Sequence, residues 1–335
     1  GGKIEMGDGG TLTLKKGGGL DRNGTGELDL TKSTLVLEGP FLNDGGAFTT
    51  SASTLDLRTN TLFRLGNEVV FDTYVPNGWG LLLYGNQDNT TKSLTLGTSQ
   101  SNINLSPNVD SLTSGFVSWH HYDNNTVNTE YVQETVPIGI TANGISLTIN
   151  GNLTLEDNAT IISNSGNLSL SNLSIDSGEI SVDSSQLSLA GGNVGVNGEI
   201  NLEDSSQFNS QGDFSVAGSL NIKSGSSLNL GGNKLDLSGG KFSTSENLFL
   251  FGTLNINGNS EISVSQGKSL TLSQNGGLNL GANTLTLSGG GNFGSRGIAL
   301  NNPNSKLVLN SITLDNASTS ANSLGLDVDA NSTVT

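Results

Sequence analysis

GEISVDSSQLSL from Gly178, GEINLEDSSQF from Gly198 and GSLNIKSGSSLNL from Gly218 begin 20 residues apart. A period of this size marks a solenoid, in which no single repeat can bury its apolar side alone. Within each period the apolar residues come in pairs two apart: Ile180/Val182, Leu187/Leu189, Val194/Val196, then Ile200/Leu202. Residues two apart point to one side of a strand, so each pair describes a short strand with a buried and a wet face. Three such pulses per period, separated by Gly, Asn, Asp and Ser, describe a three-sided coil. The expected fold is therefore all-β: a three-sided β-solenoid, a right-handed parallel β-helix.

Working outward from this stretch, grouping the pulses by three sets up a column at Ile180, Ile200, Leu220, Phe242, Ile262, Leu285 and Leu307, with coils of 20–23 residues. One recurrence does not follow that count. Ser226–Phe242 (SSLNLGGNKLDLSGGKF) nearly returns as Gly276–Phe293 (GGLNLGANTLTLSGGGNF), offset by 50 residues. The grouping puts the two copies on different faces, so the motif reads as strand–corner–strand grammar and not as a coil repeat. Corners carry Asn-Gly at Asn143-Gly144, Asn150-Gly151, Asn197-Gly198, Asn257-Gly258 and Asn275-Gly276. Both residues tolerate the positive φ that sharp turns require.

Composition agrees. Aromatic residues make up 5% of the 335, against 47 Gly, and a narrow core of Leu, Ile and Val needs little aromatic volume. Disorder would leave no reason for strict alternation. The formal net charge of −16 argues against nucleic-acid partners and anionic membrane surfaces, and no stretch is long enough to insert in a membrane. With no Cys there is neither a disulfide framework nor a thiolate metal site. The chain opens Gly1-Gly2-Lys3, which reads as a processed chain or a cut fragment.

The organisation expected is N-terminal solenoid coils over 1–39, an elaborated region over 40–140 and regular solenoid over 141–335. Pulses at Leu12/Leu14, Leu28/Leu30 and Leu35/Leu37 set the first part. The second holds both Trp, both His and all four Tyr. Some of its pulses give way to longer apolar runs, Val69-Val70-Phe71 and Leu81-Leu82-Leu83. It reads either as solenoid with long excursions or as a small inserted β domain. Its aromatic residues are the candidates for recognition: Trp79 and Tyr84, with the cluster Trp119, His120, His121 and Tyr122. That cluster could stack on a sugar; the competing reading is an aromatic plug over an excursion. Adjacent His on a strand point to opposite sides, which is poor metal geometry.

The strand grammar of Gly151-Asn152-Leu153-Thr154-Leu155, Gly218-Ser219-Leu220-Asn221-Ile222 and Gly252-Thr253-Leu254-Asn255-Ile256 resembles the repetitive β-helix regions of large bacterial surface proteins, namely filamentous-haemagglutinin-like adhesins, autotransporter passengers and LxL-repeat adhesins. It covers about residues 141–335 and, more loosely, 1–39. The resemblance implies secretion, an extracellular or cell-surface location and adhesive or biofilm-matrix roles. It supplies no catalytic residue.

β-Helices also carry polysaccharide lyases and hydrolases, whose carboxylates line up across neighbouring coils beside a base and often hold Ca²⁺. Candidates here are few: Glu203-Asp204 and Asp327/Asp329, with Lys223 one coil from Glu203. The Ca²⁺-binding nonapeptide is echoed only at Gly17-Gly18-Gly19-Leu20-Asp21 and does not repeat, so Ca²⁺ is a weak candidate and no other cofactor is expected. Ice binding would need Thr outward coil after coil, where Ser181, Asn201 and Asn221 stand instead. The function expected is non-enzymatic: an extracellular structural β-helix acting as an adhesin or as a self-assembling fibre or matrix subunit. The alternative is a carbohydrate-active β-helix enzyme. Expected partners are further copies of the chain and a glycan or cell-surface ligand. No helix, Pro-rich end or Lys-rich strand closes either end, so Leu12 and Leu14 at one side and Leu324, Leu326 and Val328 at the other are candidate polymerisation contacts.

Overall fold

A computed structural model describes residues 2–15, 20–22, 25–43, 45–85, 92–107, 115–117, 121–123, 126–128, 134–273, 278–295, 297–300, 302–315, 319–321 and 326–334. The described residues contain no helix, and their strands stack in parallel as a β-solenoid of about 13 turns. The chain divides into two compact units, Gly1–Ser171 and Asn172–Thr335.

In the second unit three faces can be followed coil by coil. One runs through Gln186–Leu189, Gln207–Ser210 and Ser227–Asn229, and on through Leu248–Leu250, Ser269–Leu272 and Asn292–Gly294. A second runs through Phe214–Val216, Lys234–Ser238 and Thr253–Gly258. The third carries the apolar column: Ile180 lies opposite Ile200, Ile200 opposite Leu220, Leu220 opposite Phe242 and Phe242 opposite Ile262. All five are fully buried. Burying each such side chain contributes ~1.5–3 kcal/mol, repeated at every coil.

Past Ile262 the expected column slips by two residues. Ile262 lies opposite Leu287, while Leu285 is opposite Ser260; the file continues Leu287, Leu309, Val328. The cause is Ser260, a polar residue in an inward position, 6% exposed. Its hydroxyl donates to the Leu237 carbonyl at 3.2 Å or the Gly258 carbonyl at 2.9 Å, which removes the penalty of burying it. A second departure is Val196, grouped with Val194 by spacing. Val194 is buried, but Val196 is 78% exposed where the chain turns from one face to the next and the register shifts.

The corners explain both the 20-residue period and the inward serines. Ser184 and Ser205 take φ of 49° and 63°, and each is followed by a buried serine, Ser185 and Ser206. Ser206 Oγ donates to the Val182 carbonyl at 2.8 Å and Ser226 Oγ to the Glu203 carbonyl at 3.1 Å, each reaching into the preceding coil. The glycines of the Asn-Gly pairs serve two purposes. Gly151 needs its φ of +79°, whereas a Cβ at Gly198 would come within 2.7 Å of Ile175 Cγ2, so the requirement there is space. The recurrent motif does lie on different faces. Ser227–Asn229 stacks on Gln207–Ser210, while Leu278–Asn279 pairs with Ile298–Leu300 on the second face. Both copies build the same corner. Asn229 Oδ1 accepts from Gly231 N at 2.9 Å and Asn279 Oδ1 from Gly281 N at 3.0 Å; Asn233 and Asn283 then reach back to carbonyls of the preceding coil.

In the first unit the coils continue through the region marked as elaborated. Thr34–Leu37, Thr54–Leu57 and Thr73–Val75 stack in parallel, as do Phe41–Asn43, Thr61–Leu65, Gly80–Gly85, Gly139–Asn143 and Ala159–Asn164. Between Asn102–Leu105 and Gly139–Asn143 an excursion leaves the solenoid. Its Gly115–Val117 pairs with Glu134–Val136, and its His121–Asp123 with Thr126–Asn128, both antiparallel. The run Leu81-Leu82-Leu83 is buried on both sides of its strand. Leu81 and Leu83 face inward, and Leu82 joins Leu42 and Leu62 in a cluster on the outer side. The core of these coils is also more aromatic, with Phe41 stacked on Phe63 at 5.0 Å and Phe48 edge-on to Phe41 at 5.4 Å. Tyr74 is buried there with no hydrogen-bond partner for its hydroxyl among the described residues, and burial raises its pKa.

Candidate functional site

The recognition candidates separate. Trp79 is half-buried at a turn in which Asn77 and Gly78 take φ of 49° and 76° and Trp79 N donates to the Pro76 carbonyl at 3.1 Å. The turn is fixed from the coil before it. Asn77 Nδ2 donates to Asp56 Oδ1 at 2.6 Å and to the Leu57 carbonyl at 2.7 Å, while Arg58 holds the same carboxylate through Nε at 2.9 Å and Nη2 at 2.6 Å. This polar cluster holds the corner on which the indole stands. Tyr84 instead packs, half-buried, against the outer cluster of Leu42, Leu62 and Leu82. Trp119 and His120 lie outside the described residues. His121 and Tyr122 lie in the antiparallel strand His121–Asp123, and their side chains are also outside the description.

Three of the four carboxylates considered for catalysis, Glu203, Asp327 and Asp329, are engaged. Glu203 pairs with Lys223 of the next coil, directly above Asp183 in register. Asp327 pairs with Lys306 at 3.4 Å. Asp329 accepts from Ser332 Oγ at 2.5 Å and Ser311 N at 3.0 Å, and these donors lower its pKa. Among the described residues no group of three or more His, Asp or Glu is gathered as a metal site. Of the Ca²⁺ echo, residues 17–19 lie outside the described residues.

What the third face of the second unit does present is a polar ladder. Asn201 Nδ2 donates to Glu179 Oε1 at 2.8 Å, Asn221 Nδ2 donates to Glu199 Oε1 at 2.6 Å or Asn201 Oδ1 at 2.9 Å, and Ser243 Oγ donates to Asn221 Oδ1 at 2.5 Å. In the first unit one outward file is all threonine, Thr11, Thr34, Thr54 and Thr73. The file beside it is Thr13, Val36, Asp56 and Val75, broken by the Asp56–Arg58 pair, so no flat threonine plane extends from it.

At the candidate polymerisation contacts, Leu12 is half-buried and Leu14 buried, opposite Leu35 and Leu37. Leu324 lies outside the described residues. Leu326 lies opposite Leu307, and Val328, opposite Leu309, is 42% exposed. Two residues that neither spacing nor composition had marked are Phe249 and Phe251, each 64% exposed on the outer surface of the second unit. Their signal was present in the phase of the alternation: with Leu248 and Leu250 inward, the residues between and after them must point out.

The architecture defines the class of protein, a parallel β-solenoid repeat protein. The chain matches no family model, and neither a curated protein nor a solved structure matches it.

Proposed function

We propose that the chain is an extracellular structural β-solenoid, an adhesin or the subunit of a fibre or matrix that grows by head-to-tail stacking. The observation that carries this reading is how the outward polar residues are used. Lys223 with Glu203, Lys268 with Glu246, Lys306 with Asp327 and the Glu179–Asn201–Asn221–Ser243 ladder all join one coil to the next. A surface spent on stiffening the stack suits a protein whose work is mechanical. The engagement of Glu203, Asp327 and Asp329 counts against the lyase or hydrolase alternative.

Head-to-tail stacking rests on strand edges. Among the described residues, Lys3–Glu5 pairs only with Glu27–Asp29, and Thr333–Val334 only with Thr313–Asp315. An unpaired edge accepts another parallel strand through its free N–H and C=O groups, and a second copy supplies one that repeats without closing. Light scattering and electron microscopy of the full chain test this beside Leu326→Lys/Val328→Lys. The wild type is expected to lengthen with concentration while the variant remains monomeric. A wild type that stays monodisperse and monomeric at high concentration overturns the stacking reading.

A further inference from the structure

Charge is spread unevenly over the faces of the second unit, with Lys234 and Asp236 on the second face and most of the carboxylates on the third. Along six successive strands of its first face, Gln186–Leu189, Gln207–Ser210, Ser227–Asn229, Leu248–Leu250, Ser269–Leu272 and Asn292–Gly294, none contains Asp, Glu, Lys or Arg; the next strand in register, Thr313–Asp315, ends on Asp315. The third face of the same coils carries Glu179, Asp183, Glu199, Glu203, Lys241 and Glu261. In a chain of net charge −16, a face of six coils without an ionisable strand residue is a chemical distinction. The Glu246–Lys268 ion pair, at 3.0 Å on the preceding corner, marks its margin.

Phe249 and Phe251 stand in the middle of this uncharged face. Phe249 lies in the strand Leu248–Leu250 and Phe251 just past its end; both are exposed on either side of the buried Leu250, their roots within ~7 Å of each other. Glycine and small polar residues leave the rings open. A Cβ placed on Gly232 would meet Phe251 Cε1 only at 3.9 Å, and Phe249 has Thr271 opposite it, with Gly294 opposite Thr271 in turn. Exposed amides and hydroxyls flank the pair, Asn229 in the preceding coil and Thr271 in the following one.

We propose that Phe249 and Phe251 form a binding site for a neutral polysaccharide on the uncharged face of the second unit. Sugar rings present flat C–H faces that pack on aromatic rings, and their hydroxyls bond to amides and alcohols at the rim. The absence of ionisable strand residues disfavours acidic polymers, which need Lys or Arg. Two rings in a polar field are too little apolar surface for the packed centre of a stable protein–protein interface. The site stands whether or not the chain polymerises, because it lies on a side of the stack and not at its ends.

The test is depletion of the full chain from solution by insoluble cellulose, chitin, starch and mannan, with alginate gel as the acidic comparison. Binding to at least one neutral polymer is expected and should persist in about 0.5 M NaCl, where exposed charge contacts are screened. Phe249→Ser and Phe251→Ser should each weaken it about tenfold, with unchanged melting because both side chains are exposed. Phe249→Tyr/Phe251→Tyr should retain it, and Val196→Ser, at an exposed corner, should leave it as in the wild type. Failure to bind any neutral polymer overturns the proposal. So does binding to alginate alone, or a Phe249→Ser/Phe251→Ser variant that binds as well as the wild type. If that variant instead loses self-association in sedimentation and keeps its polymer binding, the pair is a contact between copies and the proposal is wrong.

Discussion

Strand Gly80–Gly85 in the first unit and strand Ser219–Ile222 in the second occupy the same kind of place, one side of a stacked coil, and bury themselves differently. In Ser219–Ile222 only Leu220 and Ile222 are buried; Ser219 and Asn221 are half-exposed. In Gly80–Gly85 the first four residues are all buried, because the outward Leu82 packs with Leu42 and Leu62. A strand with one wet face writes alternation into its sequence, whereas a strand covered on both faces writes a continuous apolar run. The two regions therefore share an architecture while differing in where an outward substitution is tolerated.

The sharpest way to break the comparison is to place a charge at matched positions. Leu220→Asp, inward in the second unit, and Leu82→Asp, outward in the first, should both be severe. Each buries an unpaired carboxylate, and losses above about 4 kcal/mol are expected for both. Thermal and denaturant unfolding would check it. A mild Leu82→Asp would mean that the outer cluster is not a core and that the two strands are alike after all.

Asn221→Asp, the outward neighbour of Leu220, should lie well below these. Simple alternation would make it neutral, since the side chain points away from the core. The structure corrects that expectation, because Asn221 Nδ2 donates to Glu199 Oε1 at 2.6 Å and a carboxylate in its place would face Glu199 with no proton to offer. A loss of about 1 kcal/mol is expected, shrinking in high salt as like charges are screened. Asn221→Ser, which keeps a donor and adds no charge, should recover part of it. Equal stability of Asn221→Asp and the wild type at low salt would show that the ladder is not a stabilising feature.

These cases also mark what the sequence could show. The fold was legible because a one-sided strand repeats the same apolar phase in every coil, and the column from Ile180 to Ile262 lies in register as the spacing predicts. It failed at Ser260 because hydropathy does not record a serine that satisfies its hydroxyl on a neighbouring carbonyl. Val196 misled for the reverse reason: an apolar residue at a corner keeps the spacing of a pulse without its burial. Of the candidate surface, Trp79 could be singled out as an aromatic residue in an elaborated region, but its support by Asp56, Arg58 and Asn77 comes from two different coils. Phe249 and Phe251 were readable in principle, since the test is phase and not composition.

The smallest expected effect concerns acid, and it separates the corners from the cores. Glu246 accepts from Gly225 N at 2.9 Å and from Lys268 Nζ at 3.0 Å, and these donors, the backbone N–H first, hold its pKa below the ordinary 4.5. A carboxylate depressed on folding stabilises the folded state above its unfolded pKa and loses that contribution as pH falls through the lower folded value. The acid limb of the melting curve should therefore begin below about pH 4.5. Glu246→Gln should lower melting slightly at pH 7, and the difference from the wild type should shrink as falling pH protonates Glu246. The difference should also narrow in salt, since the side chain is partly open to solvent and its pairing is screened. If Glu246→Gln and the wild type instead differ more at pH 2 than at pH 7, the depressed carboxylate is not what Glu246 contributes. The Gly225–Glu246–Lys268 corner would then owe its stability to geometry alone.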